Sequence, residues 1–427
     1  MCVFTGKTHN LEFMFGAMDS IAKAASLLLA LDIGSRFRRA TPDWKLGEAA
    51  EPTAATIREL YGDAGYWPTP WLGGFLGGHL QTVWYGLNPI SPTYSFKEVT
   101  WITGDGGTIG LAYPDVPASL PKDAPIILIL PGLCGSIKGT GHTVRAILDA
   151  GCRPVCFHSR GCGNDLSSPC FNIFGSTDDL REAVGRLSEE YEDSPLCLYS
   201  ISAGTALMVR YLGEEGEHAP ITAAVANCPG YDIGVCMGRV SVLYDSSFYI
   251  GVLKKHWLDG ANGRMLRAAS PVLYDRMATA PDMHSFMVAA APFADPHFAS
   301  ECAASSSRTA DAPVDAGSIA NGFARFLART NPMGVAHQIQ IPALILNADD
   351  DPICSPKNTD ENLPALMDIP GSCPKTVALR FKQGGHCCFA CGWRARRWAD
   401  DLSAGFLAAV SARANSLAKP TYDDIGG

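Results

Sequence analysis

Long apolar runs are missing from this 427-residue sequence. The stretch 21–31 is interrupted by Lys23 and falls far short of the roughly 20 residues that a membrane-spanning helix needs. A surplus of basic residues is missing too. The formal net charge is −9, which argues against a nucleic-acid partner, since that role wants a basic face. Cysteine is plentiful, with fifteen residues, yet a disulfide framework is not evident. Cys152, Cys156, Cys197 and Cys228 fall in or beside apolar runs, where a free thiol packs as a small hydrophobe. One C-x-x-C, Cys388–Cys391, has no second pair at zinc-finger spacing, so neither a metal nor another cofactor is expected. With no evident secretory leader, the expected setting is intracellular and reducing, cytoplasmic or peripheral to a membrane. What remains is 47% hydrophobic and 18% charged, ample for a large buried core and far from a disordered composition.

The most informative string is Tyr199-Ser200-Ile201-Ser202-Ala203-Gly204. It comes after the apolar run 195–198 and opens a helix-like stretch over 205–212. A strand, a sharp turn with serine at its apex and a helix make the setting of a nucleophile elbow. Small neighbours two before and two after the serine leave room for close strand–helix packing. Gly204 meets that demand, while Ser200 stands where a glycine usually does. Serine and glycine are common in loops, so the string is weak by itself. Its weight comes from an aspartate and a histidine further along the chain.

Two further apolar runs end in polar groups. Residues 342–346 lead into Asn347-Ala348-Asp349-Asp350-Asp351-Pro352, and 376–381 lead to Gly384-Gly385-His386. The order Ser, Asp, His along the chain is that of the α/β hydrolases, distinct from the other serine-hydrolase orders. On the residues alone, any of Asp349, Asp350 and Asp351 could be the acid. Upstream, the apolar run 126–130 is followed by Pro131-Gly132-Leu133-Cys134-Gly135-Ser136. In this fold the loop after that strand and the residue after the nucleophile donate the two oxyanion-hole amides, which assigns Leu133 and Ala203. A glycine turn between strand and helix is also a fair description of that loop, and the two do not conflict. His79, His142 and His158 are read as structural.

Several blocks carry a family resemblance. Residues 130–136 (LPGLCGS) resemble the LPGLxGSS block of the α/β-hydrolase-domain proteins 1, 2 and 3, plant embryogenesis-associated proteins and bacterial YheT-type hydrolases (the AB hydrolase 4 family). Residues 79–82 match that family's HLQT segment, 160–163 its RGxxG loop, 175–181 its G-x-T-D-D-L-R stretch, 350–353 its DDPF block and 384–389 its GGHxGF block. The blocks occur in order between about residues 68 and 407. The resemblance implies a serine hydrolase of carboxylic esters, either lipid esters or short- to medium-chain acyl esters, and places the acid at Asp351, which directly precedes proline. It carries the nucleophile to Ser202 and the base to His386. Ser200 departs from the pattern, as do Cys387 and Cys388, where the family has an aliphatic residue and glycine. Cys391 lies in the same cluster, and oxidation beside His386 is expected to inhibit. An acyltransferase using the same three residues and a non-catalytic lipid-binding protein on the same fold are the rival readings.

The expected architecture is an α/β-hydrolase fold: a mostly parallel, doubly wound sheet with a helical cap insertion and an N-terminal extension. Residues 1–90 form the extension with the HLQT segment, 91–230 the first part of the core, 231–333 a cap or lid, 334–412 the second part of the core and 413–427 a tail. A hairpin is expected from 96–102 and 108–113, turning at Gly104-Asp105-Gly106-Gly107. Parallel strands are expected after it at 126–130, 154–158, 196–199, 223–227, 343–346 and 376–381. Each is near-continuously apolar, as a sheet covered on both faces requires. Within the cap, 303–317 reads as a mobile loop, and Met237, Val240, Val242, Leu243, Tyr244, Phe248, Tyr249 and Ile250 could line an acyl pocket. Near the start, Met14, Met18, Ile21, Ala25 and Leu28 fall on one helical face, with Arg36, Arg38 and Arg39 after them. Such a helix suits peripheral membrane association or packing on the core.

Overall fold

A computed structural model describes residues 26, 38–74, 76–87, 91–240, 242–294 and 316–418. The proposed N-terminal helix face and residues 303–315 of the cap loop lie outside the described residues.

The backbone is a nine-stranded sheet in the order β1-β9-β8-β7-β6-β4-β5-β3-β2. Strand β1 spans Asp43–Leu46, β2 Phe96–Ile102, β3 Thr108–Pro114, β4 Ile126–Leu130, β5 Arg153–His158, β6 Leu196–Ile201, β7 Ala223–Asn227, β8 Ala343–Ala348 and β9 Thr376–Phe381. Strands β4 to β9 are mutually parallel, while β2, β3 and the edge strand β1 pair antiparallel. The expected hairpin and six parallel strands are present. β1 is an addition that the sequence did not reveal; it lies along β9 with Asp43 opposite Arg380.

Alternation along each strand divides the core into two layers. Ile127, Ile129, Tyr199, Val225, Leu344, Leu346 and Leu379 face one side, covered by α1 (Glu51–Ala64), α3 (Gly141–Asp149) and α13 (Trp398–Ala418). Leu128, Leu130, Leu198, Ala224 and Ile345 face the other, under α4 (Thr177–Glu190), α5 (Gly204–Glu215) and α12 (Pro356–Met367). Between α1 and α3 in sequence lies α2 (Gly77–Leu87), which carries the HLQT residues.

The sheet order reverses between β4 and β6, and the carboxyl ends of strands at such a switch point are where open α/β sheets build their sites. Above that edge sits the 231–333 segment. It contains α6 (Ile233–Met237), α7 (Ile250–Leu258), α8 (Gly260–Ala269), α9 (Pro271–Thr279), α10 (Met283–Ala290) and α11 (Ala316–Thr330). These helices share an apolar cluster of their own, centred on fully buried Trp257 and Phe286. The core holds that cluster through the loop after β5. Phe171 stacks on Trp257 at 4.3 Å, and a Cβ at Gly161 would lie 2.5 Å from the same indole. Two of the family-like blocks meet here: the Arg160 guanidinium forks onto the Asp179 carboxylate at 2.7 and 2.8 Å, both side chains buried. Burial costs both charges their hydration, and the bidentate pairing together with a second carboxylate on Arg160, that of Asp105 at 2.6 Å, offsets that cost.

Candidate active site

The turn between β6 and α5 is as tight as the sequence demands. Ser202 has φ +52, in the left-handed region that non-glycine residues rarely occupy. Its amide bonds Asn227 O at 3.0 Å and its carbonyl accepts from Thr205, so the strained turn is fixed from both sides. A Cβ at Gly204 would lie 2.4 Å from Leu130 O and 2.5 Å from Pro131 O, so that position admits only hydrogen. Ser200 tolerates a side chain because its hydroxyl points into the sheet and donates to Val225 O at 2.9 Å. The departure from glycine is therefore satisfied locally.

Three of the sequence-selected side chains come together. Ser202 Oγ lies 2.6 Å from His386 Nε2, and His386 Nδ1 lies 2.8 Å from Asp351 Oδ2. A carboxylate only accepts, so Nδ1 carries the proton and Nε2 is left to accept from the serine hydroxyl. Burial disfavours the His386 imidazolium, but the Asp351 charge and Cys387 outweigh it and move its pKa well above the ordinary histidine value. The other Asp351 oxygen accepts the amides of Ile353 and Cys354 at 2.8 and 2.9 Å, which fixes the carboxylate's orientation.

The neighbouring aspartates have other partners. Asp350 Oδ1 accepts the amides of Gly384 and Gly385, each at 2.8 Å, and so holds the loop that presents His386. Burial pushes the Asp350 carboxyl up to about 6 against the lowering effect of those two donors. Asp349 pairs with Arg380 and Lys382. Thr82 was not singled out by sequence reasoning, yet its hydroxyl accepts the His386 amide at 2.9 Å and donates to Gly78 O at 2.7 Å. Gln81 accepts the amide of Ala390 at 3.0 Å. Contact between α2 and the histidine loop is so close that a Cβ at Gly78 would overlap Asp350 O, and one at Gly385 would lie 2.8 Å from Gly78 O. The signal was present as the HLQT block, but its meaning depends on contacts across 304 positions.

Leu133 and Ala203 line the same cavity as Ser202, and among the described residues no hydrogen bond uses either amide. The cavity, about 70 Å³, has walls from Leu133, Ala206, Met237, Val240, Tyr249 and Met283. Of the cap residues expected to line it, Met237, Val240 and Tyr249 do so. Tyr244 instead stacks on His79 at 5.6 Å and bonds its Nδ1 at 3.1 Å, Ile250 packs inside the cap, and Val242 and Phe248 are exposed. His158 has a carboxylate neighbour, Glu98, but its Nε2 accepts the amide of Ile137, so it serves the loop after β4.

Sulfur packs closely around His386. Cys387 has φ +64, its amide reaches Cys228 Sγ at 3.3 Å, and despite burial its thiol is drawn down to about 7 by Cys228 and His386. Two ligand-type groups share this histidine: Cys228 with Cys387, and Asp351 with Cys354, each with donor atoms within 4.8 Å of one another. Both His386 nitrogens are already engaged, by Ser202 and Asp351.

Several known proteins are similar to this chain in sequence. The chain is 27% identical over 208 residues to embryogenesis-associated protein EMB8 of Picea glauca, covering 46% of this chain and 44% of that one. It is 29% identical over 234 residues to human phospholipase ABHD3, covering 53% and 52%. A monoacylglycerol lipase of Saccharomyces cerevisiae is 27% identical over 144 residues, covering 32% and 29%. The chain spans about half the length of the first two relatives it matches. A family profile described as Hydrolase_4, serine aminopeptidase S33, matches residues 121–388, from just before β4 to just past the histidine. A parallel sheet, an elbow serine and that match over more than half of the sequence lead to one conclusion: the chain belongs to the Hydrolase_4 family of α/β hydrolases.

Proposed function

We propose that this protein is a serine esterase that hydrolyses carboxylic esters, either lipid esters or short- to medium-chain acyl esters, with Ser202 as nucleophile, His386 as base and Asp351 as its orienting acid. The observation that carries the reading is the hydrogen-bonded series Ser202–His386–Asp351 opening onto an apolar cavity. His386 takes the serine proton as Oγ attacks the ester carbonyl, and Asp351 keeps the imidazole in the required tautomer. The amides of Leu133 and Ala203 receive the developing oxyanion, a contribution of about 3 kcal/mol per donor in comparable enzymes. His386 then returns the proton to the leaving alcohol, and water repeats the sequence on the acyl-enzyme. The names of the relatives, a phospholipase and a monoacylglycerol lipase, support a lipid ester, as do the cavity walls. Residues 231–333 act as the cap that selects the acyl group.

Ser202→Ala tests the assignment. Turnover of a p-nitrophenyl ester should fall by roughly 10⁴-fold or more, labelling by a fluorophosphonate should vanish, and the circular dichroism spectrum should stay unchanged. Full turnover in that variant removes Ser202 as nucleophile.

A further inference from the structure

Helix α2 turns large aliphatic side chains outward. The face turned to the protein carries Gly77, Gly78, Gln81 and Thr82, all buried, and Tyr85, which packs on the core. Leu76, at the start of the helix, and Leu80, Val83 and Leu87 are 53, 42, 47 and 73% exposed. Their spacings of four, three and four put all four on one stripe at about 100° per residue. Large aliphatic side chains left 42 to 73% exposed on the outer side of such a helix are only partly accounted for by packing.

The two edges of the stripe have different neighbours. On one edge His79 stacks on Tyr244 of the cap, in the stretch that also holds exposed Phe248 and cavity-lining Tyr249. The stripe therefore adjoins the cap over Ser202. On the other edge Trp84 enters an open groove of about 700 Å³ with Trp71 and Trp393. Of the four arginines lining it, Arg145 is tied to Asp149 and Arg396 to Asp401, and Arg397 is buried over the Tyr85 ring, which leaves the Arg394 guanidinium exposed in the groove. The lining thus keeps a small positive excess in a chain of net charge −9. An aliphatic stripe bordered by indole rings and the exposed Arg394 guanidinium matches the layering of a lipid surface: hydrocarbon, interfacial aromatics, anionic headgroups.

We infer that the exposed face of α2, with the adjoining tryptophan–arginine groove, docks the protein on a lipid surface bearing anionic headgroups and holds the cavity mouth next to it. The inference deepens the lipid-ester reading above, but its binding arm needs no turnover.

The test uses the full chain and phosphatidylcholine vesicles with or without phosphatidylglycerol, read by co-sedimentation. The wild type should bind the mixed vesicles, more weakly as salt rises. Leu80→Asp with Leu87→Asp should lower that affinity about tenfold or more, and Arg394→Glu should lower it for mixed vesicles but not for phosphatidylcholine alone. Both variants should hydrolyse a soluble acetyl ester at the wild-type rate. A wild type that ignores vesicles overturns the proposal, as does a double variant that binds them undiminished. So does a wild-type dimer that the double variant splits while vesicle binding persists, since the face would then belong to a second copy. Vesicle binding by a protein that proves unable to cleave esters sinks the esterase reading and leaves the docking face standing.

Discussion

Three successive aspartates, 349, 350 and 351, face three different partners, and only one of them reaches the histidine side chain. Asp350 and Thr82 hold the histidine backbone instead, through Gly384, Gly385 and the His386 amide. Thr82→Val keeps the shape but removes the acceptor and leaves a buried N–H and the Gly78 carbonyl without this partner. We expect a loss of about 1–3 kcal/mol in stability and a fall in kcat of about tenfold or more from a misplaced base, with KM little changed. Thr82→Ser should restore both. The pH profile separates positioning from simple destabilisation. If His386 is the base proposed above it acts only when neutral, and its pKa is raised, so wild-type kcat/KM should climb with pH through a midpoint above 6.5. In Thr82→Val a loosened contact with Asp351 should move that midpoint back toward 6.5. An unchanged midpoint with the same kcat would show that Thr82 is packing alone. Asp351 was separable in the sequence through the proline after it, whereas Asp350 and Thr82 were not, because their roles are contacts between segments about 35 and 304 positions apart.

At the scale of elements, glycines in two helices make opposite forecasts from the same substitution. Gly204 opens α5 with two backbone oxygens inside the radius of an added methyl group, whereas Gly185 in the exposed part of α4 has nothing within 4 Å. Alanine normally favours a helix over glycine by about 0.5–1 kcal/mol. At Gly185 that gain should appear unopposed as a higher melting temperature. At Gly204 overpacking of about 1–3 kcal/mol should win, pushing α5 off β4 and lowering both melting temperature and turnover. Thermal melts of the two single variants decide it: equal shifts would mean the elbow has room that these contacts deny. Strand reading from sequence worked where a strand is buried on both faces, since Ile126–Leu130 is a continuous apolar run and Ala223–Asn227 is apolar up to its last residue. It missed β1 because Asp43–Leu46 is a four-residue edge strand of mixed exposure, held by β9 on one side and offering no run to see.

For the molecule as a whole, the core and the 231–333 segment meet at the cavity beside Ser202. Strand ends of the core carry Ser202, Asp351 and His386, while the cavity above Ser202 takes much of its wall from α6, α10 and the segment before α7. The core half of that division was legible from the order of motifs. The cap half was legible only as composition: Met237, Val240 and Tyr249 reach the cavity, while around a wide π-turn over Asp245–Tyr249 Tyr244 turns to His79, Val242 and Phe248 to solvent and Ile250 to the cap interior. None of the described helices is long and apolar enough to cross a membrane. If the cap sets acyl length, then changing its wall should move chain-length preference without touching the nucleophile. Val240→Phe should depress kcat/KM for decanoyl esters against acetyl esters by about tenfold or more, because an aromatic ring in a cavity this small displaces the far end of the chain. Met237→Ala should do the reverse and extend the preferred length. Fluorophosphonate labelling of Ser202 should proceed at the wild-type rate in both. Parallel loss across all chain lengths would place the selectivity elsewhere, with the cap serving as cover for a pocket whose depth is set by the core.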